Sequence, residues 1–73
     1  GVEGSPDDPE VLFKTAIGLE YQAEAFYRGR IAATTPGSQE NRLYQELAAE
    51  EREHADVLTT ERARWRAGKP GIL

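Results

Sequence analysis

Glu51-Arg52-Glu53-His54 sets a carboxylate and an imidazole three residues apart, one turn of a helix, so both side chains can reach a single ion. His54 is the only histidine, and ten of the 73 residues are Glu, so a Glu three places ahead of it arises by chance roughly one time in seven. The spacing alone is therefore weak, and its setting is stronger. The pair falls beside Leu47 and Leu58 on an apolar helical stripe, where ionisable groups facing a buried side need a partner. Glu20 and Glu24 fall the same way between Ile17 and Ile31, with Tyr27 on the same face. A metal ion is the most economical partner for such a set. Mixed carboxylate and imidazole donors suit iron or manganese better than a structural zinc site.

Two helices must carry these residues. Residues 1–7 read as a flexible lead-in rich in Gly, Pro and Asp. Asp8-Pro9-Glu10 is a helix start: an Asp N-cap, Pro in the first turn and an acid at the positive end of the dipole. The first helix is predicted over about 9–33, and Thr34-Thr35-Pro36-Gly37-Ser38 breaks it. A second is predicted over about 39–67, ended by Gly68, Pro70 and Gly71, with Arg62, Arg64 and Arg66 suiting its negative end. Residues 69–73 read as a tail. The expectation is an antiparallel helical hairpin over 8–68 in an all-α fold.

The apolar positions are wider than one seam. Phe13, Ile17 and Ile31 define a stripe on the first helix, widened by Leu12, Leu19, Ala23 and Phe26. Leu43, Leu47, Leu58 and Trp65 define one on the second, flanked by Tyr44, Ala48, Ala55 and Val57. Such breadth fits a helix packed on more than one neighbour, so two copies of the hairpin are expected to form a four-helix bundle.

Depth brings the candidates together. Counted from residue 36 at the turn, Glu20 lies sixteen residues before and Glu51 fifteen after, level in an antiparallel hairpin. His54 lies one turn further, near Gly18, and Glu24 one turn nearer the loop, facing Ala48. Two carboxylates buried together without a cation would force at least one to take up a proton. A second hairpin related by a two-fold axis would bring the total to four Glu and two His, the donor set of carboxylate-bridged two-metal bundles.

Composition narrows the function. A net charge of −4 with mixed signs argues against a nucleic-acid surface, and no apolar run approaches the length of a membrane span. The absence of cysteine excludes disulfides, iron–sulfur clusters and a thiol nucleophile, and fits a reducing compartment, so a cytoplasmic location is expected. The start carries no signal peptide, and opening on Gly rather than Met is expected of a processed product or a fragment.

Ala16-Ile17-Gly18-Leu19-Glu20-Tyr21-Gln22-Ala23-Glu24-Ala25-Phe26-Tyr27 and Leu47-Ala48-Ala49-Glu50-Glu51-Arg52-Glu53-His54-Ala55 together resemble the first-helix and Glu-x-x-His signatures of the ferritin-like superfamily, including rubrerythrins and the short encapsulated ferritins. The resemblance covers about residues 11–60. It implies Glu20, Glu51 and His54 as ligands of a di-iron centre, manganese or another divalent metal being alternatives, and Tyr27 as a residue beside that centre. Full rubrerythrins and ferritins hold two such hairpins in one chain, and many rubrerythrins add a four-cysteine iron domain that this chain cannot form. The single-hairpin plan is similar to encapsulated ferritins, which complete the site across a homodimer, assemble further and sit inside an encapsulin-type shell. No convincing shell-targeting peptide is present, although Gly71-Ile72-Leu73 could begin a truncated one; the chain could also be half of a longer rubrerythrin-like protein.

The implied activity is oxidation of Fe(II) by oxygen or peroxide, with Glu51 bridging two irons, Glu20 terminal and His54 bound through one ring nitrogen. The alternatives are a rubrerythrin-like peroxide reductase and a non-catalytic oligomerisation module with a structural metal. Glu46, Glu50, Arg52 and Glu53 read as solvated surface. Glu24 is open between an extra ligand, an entry-path carboxylate and an i,i+4 partner of Arg28. Tyr27 reads equally as a core tyrosine, Phe13 and Trp65 as packing at the bundle end, and Glu40 and Glu61 as exposed.

Overall fold

A computed structural model describes residues 7–68, which form α1 (Pro9–Ala33) and α2 (Gln39–Arg66), with no strand among them. Apart from Asp7, the lead-in expected over 1–7 lies outside the described residues, as does the tail over 69–73. Pro9 enters α1 behind the N-cap Asp8, whose carboxylate accepts from the Glu10 N–H at 3.0 Å. Ser38 caps α2 in the same way, its hydroxyl accepting from the Asn41 N–H at 3.2 Å. The second helix stops one residue sooner than the sequence suggests. Ala67 caps it and Gly68 adopts a positive φ of 74°, donating to the Trp65 carbonyl at 3.0 Å, a conformation that glycine reaches without strain.

The turn is tied from inside. Asn41 is buried, and its amide donates to the Ile31 carbonyl at 3.1 Å and to the Thr34 hydroxyl at 3.2 Å, so the first turn of α2 satisfies the end of α1. Gln45 donates to the Asn41 amide oxygen at 2.7 Å. At the open end Phe13 packs on Trp65 with ring centroids 6.1 Å apart, the end packing expected of both. There Glu10 accepts from Arg62 at 3.0 Å and from both Nε and Nη2 of Arg66. The hydrogen bond from Arg66 is the main reason that the Glu10 carboxyl is held down to about 2. Arg62 and Arg66 thus clamp the start of α1 as well as suiting the dipole of α2.

Fully buried alanines, Ala48 and Ala55, form the seam between the helices. The sequence pattern puts them at the flank of a leucine stripe, and the hairpin reverses that order. Alanines let two helices come close, and one neighbour covers only a narrow strip. Leu12, Leu19, Phe26, Leu43 and Val57 are left exposed. At about 100° per residue, Leu12, Leu19 and Phe26 share one flank of α1, and Leu43, His54 and Val57 the matching flank of α2. In an antiparallel pair those flanks open on the same side of the layer. The opposite side carries Tyr21, Arg28, Arg52 and the Glu10 clamp. The molecule is only 12 Å thin in its shortest dimension, the width of one helix, so the single hairpin has no interior. No helix among the described residues is long and apolar enough to cross a membrane.

Candidate metal centre

Mid-length on both helices, Glu20, Glu51 and His54 each direct one potential ligand atom to a common point, and these atoms lie within 4.8 Å of one another. The ring nitrogen Nδ1 of His54 stands 3.5 Å from Glu20 Oε2 and 3.8 Å from Glu51 Oε2. Glu20 comes from α1 and the other two from α2, one turn apart. The depth count from the turn therefore describes the observed arrangement.

The electrostatics are those of an unneutralised acidic pair. Hydrogen bonding with the Glu20 side chain, followed by burial and repulsion from the same group, pushes the Glu51 carboxyl above the usual carboxylate range. Glu20 Oε2 is buried and has no hydrogen-bond partner. An acceptor in that condition is costly unless a cation or proton meets it. The residues present could hold a divalent metal: two carboxylates and an imidazole converge, and one buried carboxylate oxygen accepts no hydrogen bond.

His54 departs from the expected burial. Its side chain is 57% exposed against 24% and 21% for Glu20 and Glu51, because it stands on the open apolar flank. No atom outside the local backbone comes within 4 Å of where a Gly18 Cβ would lie, so within one chain Gly18 is not there to make room for the imidazole. The centre opens toward that uncovered side. Two surface grooves, at Val11–Gln22 on α1 and Asp56–Arg64 on α2, follow single helices, and none of the three residues lines either.

Of the roles open to Glu24, the ion pair is the one seen. It is buried, Arg28 Nε donates to one oxygen at 2.9 Å, and Arg52 Nη1 reaches the other at 3.3 Å. Arg28 leads the causes holding its carboxyl below the ordinary range. With both oxygens engaged by arginines, Glu24 is not among the converging donors. Arg52 is exposed, as the surface reading expects, yet it is also tied: besides crossing to Glu24, it lies 5.6 Å from the Tyr21 ring centre and 3.9 Å from Asp56. Its position four residues before Asp56 announces the second contact, but nothing local announces the first. Tyr27 packs between Phe26 and Tyr44, at 5.5 and 6.2 Å between centroids, about two turns of α1 from Glu20.

No family model matches the chain, and no curated protein or solved structure matches it.

Proposed function

We propose that this chain is half of a ferritin-like di-iron carboxylate protein, oxidising Fe(II) with oxygen or peroxide, with each site completed by a second copy. The observation that carries the reading is the convergence of Glu20, Glu51 and His54 around a buried carboxylate oxygen that accepts no hydrogen bond, on the side where the hairpin is uncovered. Three donors with one imidazole more than half exposed make an incomplete shell for one ion. Two such sets facing each other give four carboxylates and two imidazoles for two ions.

The exposed apolar residues support a two-fold partner. Leu12, Leu19 and Phe26 are seven apart, centred on Leu19, next to Glu20. Leu43 and Val57 are centred on residue 50, next to Glu51. A two-fold axis crossing the helices at the level of the carboxylates would set Leu19 against its own copy, Leu12 against Phe26 and Leu43 against Val57. A self-complementary interface requires that kind of pattern. Docking there would cover His54 and close the centre.

Following the family resemblance, Glu51 would be the bridging donor and Glu20 the terminal one, and His54 would offer Nδ1, the nitrogen 3.5 Å from Glu20 and 3.8 Å from Glu51. Iron held by Glu20, Glu51 and His54 would supply one-electron redox chemistry, the carboxylates binding it in their deprotonated form. The four carboxylates favour the more highly charged ferric product, and the apolar rim limits water. As substrate, two Fe(II) give one electron each; with two protons they reduce oxygen to hydrogen peroxide, or peroxide to water. The exposed apolar face also favours a second reading, a dimerisation module whose metal is structural.

Fe(II) titration under air tests the proposal. A ferric absorbance saturating at one iron per chain, lost in Glu51→Ala, supports it. Oxidation at the buffer rate, with Glu51→Ala indistinguishable from wild type, refutes it. A melting temperature lowered by chelator with no iron turnover favours the structural-metal module. Peroxide and oxygen compared by stopped flow separate the peroxide reductase from the ferroxidase.

A further inference from the structure

Arg52 follows Glu51 directly, yet its guanidinium points to the polar side of the hairpin and crosses to α1. Its Nη1 is 3.3 Å from Glu24 Oε1, its carbon lies 5.6 Å from the Tyr21 ring centre, and Asp56 holds its Nε at 3.9 Å. Glu24 stands one turn from Glu20. A single side chain therefore joins the turn of α2 that holds Glu51 to the turn of α1 beside Glu20.

Outside the centre itself, the directional tie across the helices at this depth is Arg52 to Glu24. The seam around it is apolar, with Ala48 and Ala55 fully buried and Ile17, Leu47 and Leu58 half-buried, and apolar contacts are not directional. The directional ties elsewhere lie toward the ends: Asn41 to Ile31 near the turn, and Glu10 to Arg62 and Arg66 at the opening. A slip of one residue along a helix moves a side chain about 1.5 Å axially and turns it by about 100°. That is enough to take Glu51 and His54 off the point that Glu20 faces.

We propose that Arg52 is a positioning residue which, through Glu24, holds α2 in register with α1 so that Glu51 and His54 meet Glu20. The proposal rests on the reading of those three as a metal centre. The planar guanidinium suits this role, because it binds a carboxylate edge-on while lying on the tyrosine face, which a lysine ammonium cannot do. Arg28 supplies the internal control. It binds the same carboxylate at 2.9 Å, but from the same helix, so it neutralises Glu24 without reference to α2.

The experiment compares R52Q with R28Q in the full chain, using Co(II) as a metal that air does not oxidise. Each variant leaves Glu24 one arginine. R52Q is expected to weaken Co(II) binding by about 10- to 100-fold, the usual effect of removing a group that orients ligands, and to alter the cobalt visible spectrum. R28Q is expected to stay within about twofold of wild type. A metal-independent readout is the nuclear Overhauser contact between the His54 ring and the Glu20 side chain in metal-free protein. It should be kept in R28Q and lost in R52Q. Should R52Q lose its helicity, R52K, with the charge but not the planar fork, carries the same comparison and should be intermediate. Equal effects of R52Q and R28Q, or an R52Q that keeps both contact and affinity, would overturn the proposal. Wild-type protein that binds no Co(II), with the contact still lost in R52Q, would remove the metal reading and leave the positioning role intact.

Discussion

Leu19→Glu should break the assembly while leaving the hairpin standing. Leu19 is 60% exposed, adjoins Glu20, and would meet its own copy across a two-fold axis. A leucine taken wholly out of water gains about 1.5–3 kcal/mol, so with that exposure about 1–2 kcal/mol per copy remains to be gained on docking. Two copies contribute about 2–4 kcal/mol per dimer. At about 1.4 kcal/mol per tenfold, their loss weakens association by about 30- to 700-fold, before any repulsion between the new carboxylates. In a free hairpin the same change is an exposed substitution between two good helix formers, worth less than about 0.5 kcal/mol. Sedimentation of wild type and variant across a concentration series reads the difference, with melting temperature as the control. A monomeric wild type, or a variant that associates as tightly as wild type, would show that this face is not the interface.

The ionic and polar contacts give three further expected outcomes. Metal-free Glu51→Gln should melt higher than wild type at neutral pH while losing iron binding. The Glu51 carboxyl is raised from 4.5 in the fold, so stability present below that value is lost as pH rises through the raised value, and the amide escapes this loss. Glu10 behaves oppositely: held down from 4.5 to about 2 by Arg66, it contributes stability above 4.5 that is lost as pH falls toward 2. An acid titration followed by circular dichroism should show Glu10→Gln less stable than wild type at neutral pH and converging with it near pH 2. Asn41→Ala should cost about 1–3 kcal/mol in urea unfolding, because the Ile31 carbonyl and Thr34 hydroxyl lose a buried donor.

Local chemistry is what the sequence shows most clearly. Asp8 reads as a cap because an Asx oxygen beside free N–H groups has one low-energy use, and Ser38, at the end of the break, does the same for the second helix. The level of Glu20 with Glu51 is legible because both helices rise by the same amount per residue from a short turn. Partners across the hairpin are not. Arg52 and Glu24 are 28 residues apart, and the i,i+4 neighbour Arg28 gives Glu24 an equally good local explanation. Asn41 looks like an ordinary first-turn residue until α1 ends above it. The order of burial, with Ala48 and Ala55 innermost, Leu47 and Leu58 half-buried and Leu43 exposed, depends on how many neighbours a helix has. One neighbour covers only a narrow strip of each broad stripe, and Leu19, Phe26 and Val57 stand exposed in the hairpin.

A metal centre shared between two copies is tested most sharply by two numbers from one sample: mass in solution by light scattering, and iron per chain by elemental analysis after anaerobic loading. An even-numbered assembly with one iron per chain is expected, both lost together when the apolar face is charged. A monomer that retains stoichiometric iron would contradict the shared site, and an iron-free dimer with no Fe(II) oxidation would contradict the metal centre.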